Sequence, residues 1–493
     1  MKKYIILFAA AVLGASCSNL LDQDPTDKYT PEQLAKVDLD ILVAPLMSSA
    51  NLKMHSMGTG TQYRSFKCLN LNLDLLGNDM IVINSGAGWF TNTYSMQNYR
   101  GATDNLPAQL WGNLYTLVYA SNQVMDFIDF DLAKDTRRAE FIMGQALTLR
   151  AFAYYNLISL FQDAYLHGGK DAAGVPLYLK LNTGALGRGT AADVYSQILT
   201  DCDDAIDYFE KSGLVPDSNE GVSIYVAYMT KARTALAMGE YTMAAQAASE
   251  VIGAYGLMTE AEAKNNGFQN IDGTETIWGY EWTQNTTIQN NNFSSHMSAN
   301  ALGYGGSGGG YKVMDERLYN QIQSGDWRKD LFYAVATEIS YDNGTSITKQ
   351  FAPQYTNNKF NAPDYNQDEI YMRAAEAYFI KAEALAANST PDFPGAQQTL
   401  YDILSTRING YAKSTKTGVD LLDEIRLNKR IEMWGEGLEF FDNKRINKGV
   451  NRESSTNQTV KAVVPAGKDF TLRLPQTEIE RNPNISAEQN NQL

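Results

Sequence analysis

Apolar residues recur at three- and four-residue intervals along most of this chain, and that period restricts it to a helix-dominated architecture. Trp111, Leu114, Val118 and Met125 fall on one helical face, and Ala146, Leu149, Ala153, Leu157 and Leu160 repeat the pattern in the next segment. Thr190 has the character of an N-cap, with Val194, Ile198, Cys202 and Ala205 on the face that follows. Ala232, Leu236, Gly239, Tyr241, Ala244, Ala248 and Val251 have the spacing of a tetratricopeptide-type hairpin, in which small side chains let two helices approach closely. A looser copy runs through Ala382, Ala386, Ala396, Leu400 and Ile403, with two extra residues at the Pro391–Pro394 turn. The copies lie far apart, which excludes a regular solenoid. The expectation is a mainly α fold: tetratricopeptide-like helical hairpins with long loop insertions and minor β structure.

Two long stretches break the helical period. Residues 77–105 interleave Gly77, Gly86, Gly88 and Gly101 with Trp89, Phe90, Tyr94 and Tyr99. Residues 256–366 hold strand-like runs such as Thr276–Trp282, then the glycines of Gly303–Gly310. Their aromatic content argues against disorder, and loops this long in a compact protein usually carry function. Sugars present flat apolar C–H faces and a rim of hydroxyls, which rings stack and amides or carboxylates fix. Trp89, Phe90, Asn92 and Tyr94 supply one such set, and Trp282, Tyr304 and Tyr311 a second. In an extended Thr276–Trp282, Trp278, Tyr280 and Trp282 share one face, which suits a core equally well; Trp278 reads as core.

Catalytic and metal chemistry have little to work with. His55, His167 and His296 have no second ligand at helical or loop spacing, so neither a histidine-built zinc site nor a Ser-His-Asp triad is expected. Beyond Cys17, only Cys68 and Cys202 remain, read as two separate buried thiols. A formal net charge of −15 disfavours nucleic acid as a partner. Glu376, Glu383 and Glu432 alternate with Arg407, Arg430 and Arg445, and carboxylates beside arginines on helices have lowered pKa values, the reverse of a glycosidase acid. They are read as structural ion pairs. Arg150, between Ala146 and Ala153 on an apolar face, calls for a buried carboxylate partner. Leu427, Ile431, Trp434, Leu438 and Phe441 read as an apolar seam on one helical face, with Gly435 and Gly437 marking a close contact or a junction. No cofactor is expected, and no calcium site is predicted.

The start of the chain reads as a processing signal. Lys2 and Lys3 precede an apolar run from Ile5 to Leu13, far shorter than the ~20 residues that cross a bilayer. Gly14-Ala15-Ser16-Cys17 then resembles the lipobox of bacterial lipoproteins, although Gly14 stands where many carry Leu. Residues 1–16 are therefore expected to be a signal peptide and Cys17 the lipid anchor. An ordinary secretory signal with an incidental cysteine is the alternative.

The C-terminal third carries the most specific string, Arg426-Leu427-Asn428-Lys429-Arg430-Ile431-Glu432-Met433-Trp434-Gly435-Glu436-Gly437, followed by Phe440-Phe441-Asp442-Asn443-Lys444-Arg445. Leu472-Arg473-Leu474-Pro475, Glu478-Ile479 and Asn482-Pro483-Asn484 come near the end. Upstream stand Trp111-Gly112-Asn113-Leu114-Tyr115, Ala120-Ser121-Asn122, Leu149-Arg150-Ala151, Gly174-Val175-Pro176-Leu177, Asp326-Trp327-Arg328 and Arg373-Ala374-Ala375-Glu376. In order and spacing these strings resemble the SusD/RagB family of outer-membrane nutrient-binding lipoproteins. The resemblance covers residues 17–493 as one SusD/RagB-like domain: a helical part, 17–255, with the aromatic loop 77–105; a loop-rich insertion, 256–366; and a second helical part, 367–493. It implies a surface lipoprotein, not an enzyme, that binds a glycan and delivers it to a SusC/RagA-type TonB-dependent transporter. A peptide-binding lipoprotein of the same architecture is the nearest alternative, and a glycoside hydrolase the next. No ligand-contacting residue transfers by motif.

Overall fold

Capping chemistry sets where the helices begin and end. The computed structural model describes residues 54, 60–83, 88–131, 133, 135–283, 291–364 and 367–486; Cys17 and His55 lie outside them. The principal helices are α1 (Phe66–Asp74), α2 (Asn105–Phe127), α3 (Thr136–Phe161), α4 (Ala191–Ser212), α5 (Ile224–Met238) and α6 (Tyr241–Ala254). After the insertion come α7 (Ala374–Ala387), α8 (Phe393–Arg407), α9 (Gly418–Glu432) and α10 (Glu439–Arg445). Thr190 opens α4 with a reciprocal box: its hydroxyl accepts from the Asp193 amide at 3.1 Å, and the Asp193 carboxylate accepts from the Thr190 amide at 3.0 Å. Gly239, at φ +78°, ends α5 in the left-handed region, and α6 starts at Tyr241.

From α2 to α6 each helix packs on the next, α6 then packs on α7, and α7 on both α8 and α9. The α5–α6 and α7–α8 hairpins are thus stacked neighbours, although the whole segment 255–373 separates them in sequence. Ala244 and Ala248 of α6 and Ala374 and Ala377 of α7 are buried in one core, and their lack of bulk permits the close approach. The architecture is mainly α with tetratricopeptide-like hairpins, as the period implies.

The β structure consists of antiparallel pairs. β1 (Met80–Val82) pairs with β3 (Lys312–Met314), β2 (Thr276–Tyr280) with β6 (Glu369–Arg373), and β4 (Thr337–Asp342) with β5 (Ile347–Ala352). The strand expected to reach Trp282 stops at Tyr280, and its register shifts on both sides of Trp278. Trp278 is core, meeting Phe152 and Tyr371 edge-on at 5.3 and 5.1 Å.

The buried apolar residues form several clusters, the two principal ones among the helices and under the loop layer, and α1 lies between those two. Phe66, Leu69 and Leu73 face the helical core, while Cys68, Leu71 and Leu75 face the loop layer. Leu69-Asn70-Leu71-Asn72-Leu73 alternates with the period of a strand, which masks α1 in the sequence. Cys68 and Cys202 are separate, free and buried.

A buried ionic lattice fastens the insertion to the helical frame. From the insertion come Glu275, Asp326, Arg328 and Lys359; from the frame come Arg373, Arg407, Glu432 and Glu436, four carboxylates for four cations, all buried. Arg373 donates to Glu436 at 2.7 and 2.9 Å and also to Glu275; Arg407 donates to Glu432 at 3.1 and 3.2 Å and also to Glu275. Arg328 holds Asp326 in a bidentate pair and reaches Glu432 at 3.3 Å. Burial alone raises a carboxyl pKa, but the guanidinium charges outweigh it and hold Glu436 down to about 2 and Glu432 lower still. Arg445 and Arg426 do the same to Glu383, also lowered to about 2. Glu376 pairs with Arg233, and Arg430 with Asp79. Glu383, Glu432 and Glu436 stay charged, as structural ion pairs should.

The apolar seam from Leu427 to Phe441 differs from the expectation. α9 stops at Glu432, Gly435 and Gly437 adopt φ +80° and +83°, and α10 starts at Glu439, so the seam is shared by two helices. Both readings of the glycines are met: they form the junction, and a side chain at Gly437 would collide with Asn70 of α1.

Candidate ligand-binding site

The aromatic loop that follows β1 is held from beneath by Arg452. This buried guanidinium donates to the carbonyls of Tyr94 and Leu75 at 2.7 Å and to that of Gly77 at 2.7 and 3.0 Å. Tyr94 adds a second clamp: its hydroxyl donates to Gln458 Oε1 at 2.8 Å and accepts from the Thr459 amide at 3.1 Å. With the one-turn helix Thr91–Tyr94 anchored in this way, the preceding residues project toward the insertion. Phe90 sits at φ +65°, a region bulky residues seldom adopt, and its amide donates to Gln62 Oε1 at 2.6 Å.

That backbone twist separates two neighbouring rings. Phe90 turns inward and is 1% exposed, while Trp89 stays partly exposed. Trp89 meets Tyr304 at 5.6 Å and 71°, and His296 at 6.3 Å and 77°. His296 stacks on Tyr304 at 5.0 Å and 16°, and Phe90 closes the cluster edge-on to His296 at 5.0 Å. Burial, helped by the nearby Lys312 charge, drops the His296 pKa to about 3, so the imidazole is a neutral ring in this cluster. Lys312 lies under Phe90, 5.2 Å from the ring centre, and donates to the carbonyls of His296 and Gly310 at 2.8 Å. It braces the glycine-rich loop against the His296 segment. The glycines serve the same end: a side chain at Gly305 would collide with the His296 carbonyl, and one at Gly306 with that of Ala301.

The expected site residues divide by burial. Trp89 and Tyr304, from stretches far apart in sequence, are brought together and remain partly exposed; Asn92 is exposed on the one-turn helix beside them. Phe90, Tyr94, Tyr311 and Trp282 are buried, at 1%, 4%, 4% and 4% exposure. The Tyr311 hydroxyl meets that of Tyr341 at 3.1 Å, and Trp282 packs edge-on to Tyr280 at 5.2 Å. In this conformation those four rings support the surface and do not present a face to a ligand. His296 had no signal in the sequence, since the ring contacts that define its place come from two other segments. Trp89 Nε1 is a buried donor with no acceptor among the described residues. Among them, too, no cluster of His, Cys, Asp and Glu suits a metal, and no helix is long and apolar enough to cross a membrane.

Comparison with known proteins identifies the family. Residues 36–237 match a family described as starch-binding and associating with the outer membrane, and residues 227–492 match the SusD family. SusD-like protein P2 of Formosa agariphila is 23% identical, over 98% of this chain and 99% of its own. A SusD-like carbohydrate binding protein from Bacteroides vulgatus superposes with a TM-score of 0.77 at 22% identity, covering 92% of this chain and 98% of that one. Surface glycan-binding protein A from Bacteroides thetaiotaomicron, solved in complex with laminarihexaose, superposes with a TM-score of 0.66 at 15% identity, covering 90% and 98%. With more than half of its length matched by one family and its fold shared over nearly all of it, the chain belongs to the SusD family.

Proposed function

We propose that this protein is a non-catalytic surface lipoprotein that binds a glycan over the Trp89–His296–Tyr304 cluster and delivers it to a SusC/RagA-type TonB-dependent transporter. The observation that carries this reading is a braced aromatic cluster that stays partly exposed at Trp89 and Tyr304. A sugar ring offers the flat C–H face that such a cluster stacks. Trp89 and Tyr304 supply the contact, Asn92 the polar rim, and Phe90, Tyr94 and Tyr311 the support beneath. The ion-paired glutamates of the frame are held charged and are poor general acids. The laminarihexaose complex of a protein with the same fold supports the ligand class.

The test is calorimetric titration of the full chain against a panel of neutral polysaccharides. Trp89→Ala should weaken binding of the ligand so identified by about 1–3 kcal/mol, tenfold or more, by analogy with stacking of bases on aromatic rings. Its melting temperature should change little, because the ring is already partly exposed. Unchanged affinity would remove Trp89 from the site.

Anchorage and segmentation belong to the same proposal: a signal peptide over 1–16, a lipidated Cys17, and one domain over 17–493 divided at 255 and 366. Buried acyl chains contribute ~0.8 kcal/mol per CH₂, and stable anchoring takes more than one chain. Cys17→Ala is expected to move the protein from the outer-membrane pellet to the soluble fraction. Continued pelleting in cells lacking the transporter would defeat the lipoprotein reading.

A further inference from the structure

We propose a second saccharide site, for a short acidic oligosaccharide, in the cleft between α2, the segment 178–183 and the short helix Gln476–Arg481. The cleft has a volume of about 440 Å³, within the range of small-molecule sites, and shares no lining residue with the Trp89 cluster. Its rings belong to the helical core, whereas Trp89 and Phe90 belong to the loop layer. Residues of the strings 111–115, 120–122 and 478–479, scattered in sequence, line it together, and the Trp89 site uses none of them.

The wall is aromatic and rigid. Trp111 lies 4.8 Å from Tyr115, and Tyr178 meets Tyr115 edge-on at 5.9 Å. Hydrogen bonds lock the rings: the Tyr115 hydroxyl donates to the Pro176 carbonyl at 2.9 Å, and Trp111 Nε1 donates to Glu478 at 3.3 Å. One turn along α2 from Tyr115, Tyr119 is 55% exposed, a large ring left facing solvent at the cleft edge. Such a ring offers a stacking face for the C–H side of a pyranose.

The rim supplies the charge preference. Lys180 and Arg481 line the cleft from opposite sides in sequence, and neither forms an ion pair among the described residues. The one carboxylate on the lining, Glu478, is already engaged by Trp111 and by Asn482 at 2.8 Å. Lys180 and Arg481 outnumber Glu478 beside this aromatic wall, a local excess of positive charge in a chain of net charge −15. Carboxylates or sulfates on a sugar satisfy both features together, since the charges pair with the cations while the ring faces stack.

Titrating the purified full chain with tetragalacturonate and with a disulfated carrageenan tetrasaccharide tests the proposal. Saturable binding of at least one is expected, tenfold or more weaker in Tyr119→Ala and in the Lys180→Ala/Arg481→Ala double variant, and unchanged in Trp89→Ala. Tyr119, Lys180 and Arg481 are surface residues, so the variants should melt like the parent. Failure of both acidic probes to bind, or binding that both variants leave intact, would overturn the site. Equal affinity for hexaglutamate, which carries the charges without pyranose faces, would overturn the saccharide class, and equal affinity for neutral maltohexaose the acidic one. Binding abolished by Trp89→Ala would place the acidic sugar on the loop cluster, ending this proposal while supporting the first.

Discussion

Glu432→Ala is expected to lower the unfolding free energy by about 3–5 kcal/mol, the cost of breaking a buried ion pair by removing one partner. Glu432 is 2% exposed and accepts from Arg407, Arg328 and Arg373, so its loss leaves three guanidiniums in the interior facing too few carboxylates. Glu275 and Asp326 still pair with them, which places the effect within that range and not beyond it. Urea unfolding followed by circular dichroism measures it. Acid should reproduce the loss. The folded-state pKa of Glu432 lies below its ordinary 4.5, so the stability it contributes is present above pH 4.5 and is lost as pH falls toward the folded value. The advantage of the wild type over Glu432→Gln should therefore shrink below pH 4.5. A difference that is constant with pH would mean that the carboxylate is not held charged by its neighbours.

Arg150→Ala is expected to cost a similar amount, about 3–5 kcal/mol, by the same reasoning in a different core. Its guanidinium makes a bidentate pair with Asp201 at 2.7 and 2.8 Å and donates to Asn122 at 2.9 Å and the Leu179 carbonyl at 3.2 Å. It thereby ties α2, α3, α4 and the 174–183 segment at one point. Truncation leaves Asp201, 1% exposed, with Gln197 as its remaining side-chain donor at 2.7 Å. A thermal melt is the check, and an unchanged melting temperature would show that the arginine can be spared. Because Arg150 and Glu432 share no partner, their effects should add in the double variant.

Arg150 and Glu432 also show what could be read before any coordinates existed. A charged residue set between apolar neighbours on a helical face must find an opposite charge, and that inference needs only the 3.6-residue period and the cost of burying a charge. The helices themselves were legible for the same reason, as was the Thr190 cap. α1 was not, because Leu69, Leu71 and Leu73 alternate with Asn70 and Asn72 as they would in a strand. The seam from Leu427 to Phe441 was half legible: its spacing suits one helix, yet two glycines at positive φ divide it.

The aromatic loops were legible as regions and not as residues. Composition separates a ring-rich ordered loop from a disordered one, but it does not say which rings face outward. Tyr94 is buried by Arg452 and Gln458, more than 350 residues away, and Phe90 and Trp89 are parted by one backbone angle. His296 joined the cluster because its segment packs against the loop that carries Trp89 and Phe90 and is braced by Lys312. The sequence alone determined the helical frame and its need for paired charges, since both follow from local period and desolvation. The tertiary structure alone decided which rings are available to a ligand, since exposure is set by contacts between segments that no local pattern encodes.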